Sequence, residues 1–218
     1  MVDIFICGQK RGKEALLSEQ SLIKDFENWA VHDCWESYFR FDGCRHILCN
    51  AHLLRELESL KEQASKWGQK MQEFLYEMYE ATDRGKKVLA KRGKWERRYE
   101  EICGEGELEE PPPKAGKRGR AKNSVGRNLL NRLKKHQAGI IEYAFREEVP
   151  FTNNQAERDI RCVKIKQKIS NSFRSQQGAE NYARIQGFVS TVRKQEMNVF
   201  QEIVNVFNKK DISFQAAR

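Results

Sequence analysis

PFTNNQAERDIRCVKIKQK, residues 150–168, sets Glu157 at the head of a predicted helix otherwise dominated by positive charge. Asn153 or Asn154 is a natural N-cap, because a short amide side chain accepts from the free N–H groups of a first turn. Residues 156–169 contain no Pro or Gly, so nothing in them interrupts a helix. Glu157, Arg161, Lys164 and Lys168 then stand at i, i+4, i+7 and i+11 and share one face. An acid leading a basic stripe suits an enzyme that holds a metal ion beside a phosphate backbone. The plain alternative is an ordinary helix in which Glu157 favours the N-terminus and pairs with Arg161. The choice turns on whether other carboxylates meet Glu157.

Upstream, short apolar runs alternate with helical turns. Residues 2–7, 28–32 and 45–49 read as strands, 13–17 as a short helix and 35–39 as a helical turn. That alternation predicts an α/β sheet in the first third. From Ala51 the period changes: Leu53, Leu54, Leu57 and Leu60, then Met71, Phe74, Leu75, Met78 and Tyr79, recur at helical spacing. One long helix or two successive ones are expected to about Leu89, and another near 95–102. Residues 100–122 carry six acids, then PPP, then KAGKRGRAK, which predicts a linker without regular structure. Its basic half, with Lys117, Arg118 and Arg120, suits DNA phosphates, or is a solvated tether neutralised by its own acidic half. Helices are expected again at 129–145, 179–194 and 199–208, their apolar faces covering the sheet.

By pattern the chain divides into an α/β segment at 1–56, a helical segment at 57–148 with its linker at about 104–123, and a closing helical segment at 149–218. A chain of 218 residues can bury a real core. A net charge of +9, with 33% charged residues, favours a polyanionic partner such as nucleic acid over a solvated basic surface alone. No apolar run approaches a membrane span, so no membrane partner is expected. Cys7, Cys34, Cys44, Cys49, Cys103 and Cys162 are scattered through a chain without a signal peptide. They read as reduced thiols of a cytoplasmic protein.

Two groups upstream bear on the chemistry. Asp33 follows the strand at 28–32, and strand ends in α/β sheets are where ligand-binding side chains converge. Its carboxylate is a plausible hard-oxygen ligand for Mg²⁺ or Mn²⁺, although an Asp before a helical turn also serves as an N-cap. CRHILCNAH, residues 44–52, holds Cys44, His46, Cys49 and His52, all zinc-type donors. A strand through 45–49 turns alternate side chains to opposite faces, which favours packing and hydrogen bonding over a metal site. Cys49 and His52 then buttress the junction between strand and helix.

These residues closely resemble the insertion sequence 66 transposase family, a bacterial group using an Asp-Asp-Glu triad. The matching runs are QKRGKEAL (9–16), VHDCWESYF (31–39), CRHILCNAHLLREL (44–57) and PFTNNQAERDIRCVKIKQKISNSFRSQQGAE (150–180), in the family's order. The resemblance implies a partial RNase H-like fold, a mixed sheet covered by helices, with a mostly helical insertion between the second and third acids. Asp33 matches the second aspartate and Glu157 the glutamate, so both are implied catalytic metal ligands for Mg²⁺ or Mn²⁺. Arg158, Arg161, Lys164 and Lys168 match the basic positions beside the glutamate, and Arg174 of the FRS run joins them as a DNA contact. Cys49 and His52 match a structural Cys-x-x-His element.

The implied function is metal-dependent cleavage and transfer of DNA strands at transposon ends. Partners would be transposon and target DNA, a second copy, or full-length transposase, in a nucleoid-associated setting. The family's first aspartate stands well upstream of the RGKEA segment, and Asp3 is not its equivalent. The expectation is therefore a truncated transposase. Alternatives are a non-catalytic regulator that binds DNA or transposase, and a non-functional gene remnant.

Overall fold

The computed structural model describes residues 25–113 and 122–214, with Glu14 and Ser21. The expected strand at 2–7, the body of the helix at 13–17, Asp3 and the linker cations Lys117, Arg118 and Arg120 lie outside the described residues. The described chain is α/β and mostly helical. It divides into two compact units, one of residues 26–153 and one of 1–25 with 154–218.

In the first unit, β1 (Trp29–His32) and β2 (Arg45–Leu48) pair in parallel, Trp29 opposite Arg45 and His32 opposite Leu48. Parallel strands need a crossover of about a dozen residues. Residues 33–44 supply it, with a 3-10 turn at Tyr38–Arg40 in place of the helical turn expected at 35–39. Among the described residues the sheet is this parallel pair alone, smaller than the mixed sheet expected. Two strands cannot bury enough surface to stand by themselves, so helices must cover them. Ile47 and Leu48 accordingly join the helical core.

That core follows the apolar period. In α1 (Asn50–Glu62), Leu53, Leu57 and Leu60 fall at i, i+4 and i+7 and are buried. In α2 (Lys66–Ala81), Trp67, Met71, Phe74, Leu75 and Met78 are fully buried. The chain breaks between α1 and α2 because Ser65 caps α2, its Oγ accepting from Gly68 N at 3.2 Å. In α3 (Arg92–Glu109), Tyr99 and Trp95 meet Phe74, each at 5.9 Å between ring centres, and Tyr99 Oη donates to Leu133 O at 3.0 Å. α4 (Val125–Lys135) adds Leu129, Leu130 and Leu133, and α5 (Gln137–Ile141) adds Ile140 and Ile141. Gly139 lets α5 lie against β2: a Cβ there would come within 2.5 Å of the His46 carbonyl oxygen.

α3 runs to Glu109, well past the 102 expected, through acids and glycines that read as a linker. The acids are held by neighbouring cations and helix ends. Glu105 pairs with Lys70 at 2.5 Å, and Glu107 with Lys134 at 2.6 Å and with Arg127. Glu109 accepts from Lys66 N at 3.0 Å and Trp67 N at 3.1 Å, an anionic cap on α2. Gly106 is no breaker but a close crossing, because a Cβ there would sit 2.9 Å from Leu130 and 3.1 Å from Trp67.

The second unit contains α6 (Asn154–Asp159), α7 (Arg161–Ser170), α8 (Gln176–Lys194) and α9 (Val199–Phe207). The uninterrupted helix expected over 156–169 is divided at Ile160. Asp159 sits at the break with both ends engaged: its carbonyl accepts from the Cys162 thiol at 3.4 Å and its carboxylate from Lys194 Nζ at 2.5 Å. Side chains that compete for helix carbonyls are a recognised cause of such interruptions. Glu157 therefore does not share one continuous helix with Arg161, Lys164 and Lys168. Ser175 and Asn198 cap α8 and α9 through Gly178 N at 3.1 Å and Gln201 N at 3.0 Å.

Gly104 and Gly106 of α3 should respond in opposite directions. Gly104 is exposed with nothing within 4 Å of an added Cβ, so Gly104→Ala should raise stability by about 0.5–1 kcal/mol through helix propensity. Gly106→Val should lower it by about 1–3 kcal/mol through overpacking. Urea unfolding of both variants checks the pair, and equal effects would discard the helix crossing.

Candidate active site

β1 delivers its last residue, His32, into the core and releases Asp33 at the surface. Asp33 Oδ1 accepts from Trp35 N at 3.1 Å, which turns the chain into the crossover. Asp33 lines a cleft of about 290 Å³ with Cys34, Trp35, Cys49, His52, Glu56 and Arg132. The cleft thus gathers the carboxyl end of β1, the β2–α1 junction and one side chain of α4.

Behind Asp33 runs a chain of imidazoles. His32 Nδ1 contacts the Asp33 carbonyl oxygen, His32 Nε2 lies 2.9 Å from His46 Nδ1, and His46 Nε2 lies 3.0 Å from the Phe41 carbonyl oxygen. Three contacts need three protons, whereas two neutral imidazoles carry two. Burial opposes the third, holding His32 below its ordinary range, with the Asp33 carbonyl acting in the opposite direction. The pair ties the end of β1 to the end of the crossover and fixes where Asp33 emerges.

Cys49, immediately before α1, and His52 on its first turn flank the same cleft. Cys49 is buried, and its Sγ accepts from Asn153 N at 3.2 Å. Next to it, Asn50 N donates to Phe151 O at 3.2 Å and Asn50 Nδ2 to Ile140 O at 3.0 Å. Phe151 stacks on Tyr79 at 4.2 Å and meets Tyr143 edge-on at 4.7 Å. Residues 149–153, which lead into Glu157, are therefore part of the first unit's core. Of the other zinc-type donors, Cys44 Sγ donates to Phe41 O at 3.5 Å and His46 is engaged at both nitrogens.

Three lining residues escape a reading of the sequence. Glu56 lies one helical turn beyond His52, and that spacing is its only signal. Arg132 comes from 76 residues away to pair with Glu56, Nη1 to Oε1 at 3.1 Å. Cys34 sits beside it, its thiol pushed up by burial against the pull of the Arg132 guanidinium.

The remaining candidates belong to the second unit. Glu157 is half-buried on α6, while Arg158 on α6, Arg161, Lys164 and Lys168 on α7, and Arg174 beyond it are exposed. Among the described residues, none of these five cations has a carboxylate within 4 Å; Arg158 Nη2 donates to Gln155 Oε1 at 3.1 Å. The acid between them, Asp159, is held by Lys194. Among the described residues, no helix is long and apolar enough to cross a membrane.

A carboxylate at a strand end in one unit, and in the other a run of cations without carboxylate partners among the described residues, are groups suited to phosphate-backbone chemistry. The family comparison agrees: residues 2–181 match the model described as "Transposase IS66 family". The chain belongs to the IS66 transposase family. No curated protein and no solved structure matches it.

Phe151→Ala should lower the stability of the first unit by about 3–5 kcal/mol. Hydrogen exchange should quicken at least tenfold at the Asn50 and Asn153 amides, the two N–H groups that this segment pairs. Unchanged protection at both would mean that residues 149–153 are not part of that core.

Proposed function

We propose that this chain is a transposase-derived DNA strand-cleavage and strand-transfer protein, with Asp33 and Glu157 as carboxylate ligands of its metal centre. The observation that carries the reading is the setting of Asp33, at the carboxyl end of β1 and on the wall of a cleft. Oδ1 holds the Trp35 amide, and among the described residues Oδ2 makes no hydrogen bond. An oxygen so placed fits a hard divalent cation such as Mg²⁺ or Mn²⁺. The buried Cys49 thiol, already accepting the Asn153 amide, suits a structural role instead. Bound ions of this kind would supply Lewis-acid stabilisation of the attacking and leaving oxygens at phosphorus.

The chain's own residues do the positioning. The His32–His46 pair and the Trp35 amide hold the Asp33 carboxylate in one orientation. The Cys49–Asn153 and Asn50–Phe151 bonds fix the segment from which the Glu157 helix departs, four residues before that acid. Arg158, Arg161, Lys164, Lys168 and Arg174 bind backbone phosphates, as Lys117, Arg118 and Arg120 of the linker would. These roles, and the RNase H-like core they imply, rest on the motif match together with the site chemistry.

A second reading has the chain binding transposon DNA, or a transposase, without cutting. The same unpaired cations favour it, since they need no metal to hold DNA.

The test is nicking and strand transfer on transposon-end DNA, by the chain alone and mixed with a full-length transposase of the same family. Mg²⁺ or Mn²⁺ should be required, and EDTA should abolish the reaction. Asp33→Ala and Glu157→Ala should each reduce cleavage to background while leaving DNA affinity within about threefold, because phosphate contacts dominate affinity. Binding without cleavage under every condition would replace the first reading with the second. Cleavage surviving both substitutions would overturn the assigned ligands.

A further inference from the structure

The turn between α2 and α3, with the first half of α3, carries most of the molecule's charge imbalance. Residues 84–98 hold eight Lys and Arg against one acid, Glu96, a surplus of seven in a chain whose net charge is +9. Half of these cations have internal partners. Arg84 pairs with Glu80 at 3.2 Å, Lys87 with Asp83 at 3.7 Å, Arg98 with Glu77 at 2.6 Å, and Arg92 with Glu96 and Glu142, each at 2.8 Å. Lys86, Lys91, Lys94 and Arg97 are exposed, and among the described residues none has a carboxylate within 4 Å. Lys94 lies within electrostatic reach of Glu77, which Arg98 already holds.

Lys91, Lys94 and Arg97 line one shallow, open concavity of about 650 Å³ with Gly93, Glu96 and Glu100. Neither acid cancels them. Glu96 is taken by Arg92, and Glu100 accepts from the Gln137 amide at 3.4 Å.

The helix itself argues that this charge has an external use. A helix favours acids in its first turn and cations in its last, because of the free N–H and C=O groups there. α3 has no acid in its first turn and no base in its last. Its acidic end is explained inside the fold, by Lys70, Arg127, Lys134 and the cap on α2. At its basic end Arg92 and Arg98 are used in the same way, by Glu96, Glu142 and Glu77, whereas Lys94 and Arg97 have no carboxylate partner among the described residues. A local rule broken without internal compensation is the mark of a functional surface.

We infer that Lys86, Lys91, Lys94 and Arg97 form a second DNA-binding surface on the helical insertion, one that grips the phosphate backbone of duplex DNA. The inference rests on the reading of the chain as a DNA-handling transposase, and adds a contact remote in sequence from the residues of α6 and α7. Three of the four are lysines, flexible point charges that hold phosphate without reading bases. The contact is therefore independent of sequence, and suits flanking or target DNA.

The test compares salt dependence of binding to a labelled duplex, by fluorescence anisotropy, for three proteins. These are the wild type, a Lys86→Gln/Lys91→Gln/Lys94→Gln/Arg97→Gln variant, and an Arg161→Gln/Lys164→Gln/Lys168→Gln variant. Each lost phosphate contact should flatten the log–log salt slope by about 0.9, so the first variant should lose about 2–4. Its affinity at low salt should fall at least tenfold, equally on unrelated sequences. A Lys94→Gln/Arg97→Gln pair, which also relieves the opposed helix dipole, should fold at least as well as wild type and lose about half as much slope. Wild-type slope and affinity in both α3 variants, with loss only in the α7 variant, would overturn this inference and leave the proposed function standing. No duplex binding by the wild type would overturn both.

Discussion

Asn50 is where the first unit is tied together. It is fully buried at the start of α1, where helix N–H groups lack partners within the helix. Its backbone N–H goes to Phe151 and its side-chain amide to Ile140, so one residue joins the β2–α1 junction to α5 and to the segment leaving for Glu157. Its Oδ1 is buried without a partner among the described residues, a cost of about 1–3 kcal/mol that the other two bonds must offset. Cys49 beside it accepts the Asn153 amide. Without these three bonds the strand end bearing Asp33 and the exit of residues 149–153 would be set independently.

The constraint explains why so small a sheet can present a site. Two parallel strands impose little geometry of their own. Here β2 is pinned by the close approach of Gly139 to the His46 carbonyl, and β1 by the His32–His46 contact. Asp33 emerges one residue after that contact, and Trp35 immediately claims one of its oxygens. The position of the acid is thus fixed by backbone and ring nitrogens rather than by an extended sheet.

Much of this was legible in the sequence, for definite reasons. Alternation located both strands to within a residue, and the Leu53–Leu57–Leu60 and Met71–Tyr79 spacings marked the helical stretch that holds α1 and α2, though not the break between them or the end at Ala81, because burial on one face leaves a period. The acidic half of α3 was not legible as helix. Glycine counts against helix by propensity, whereas Gly106 is there to let Trp67 and Leu130 approach, a tertiary fact. The division at Ile160 was hidden too, since its partners are the Cys162 thiol and a lysine 35 residues away on α8. Within the cleft, Asp33, Cys49 and His52 were singled out by local pattern, while Arg132 reaches it only through folding.

Acids and cations differ in what the fold does with them, and that difference bears on function more than net charge does. Glu105, Glu107 and Glu109 hold helices together, Glu142 is buried between Arg92 and Arg146, and Asp159 is held by Lys194. The exposed pairs among these add little stability singly, but every pair, exposed or buried, removes a negative charge from the field seen by an approaching polyanion. Among the described residues, the cations left over include Lys86, Lys91, Lys94 and Arg97 in and after the α2–α3 turn and Arg158, Arg161, Lys164 and Lys168 on α6–α7, with others such as Arg40, Arg55 and Lys135 standing singly. A solvated basic surface has no reason to set a cation in the first turn of a helix, against its dipole, as Lys94 of α3 is set. Contact with an extended phosphate backbone supplies that reason.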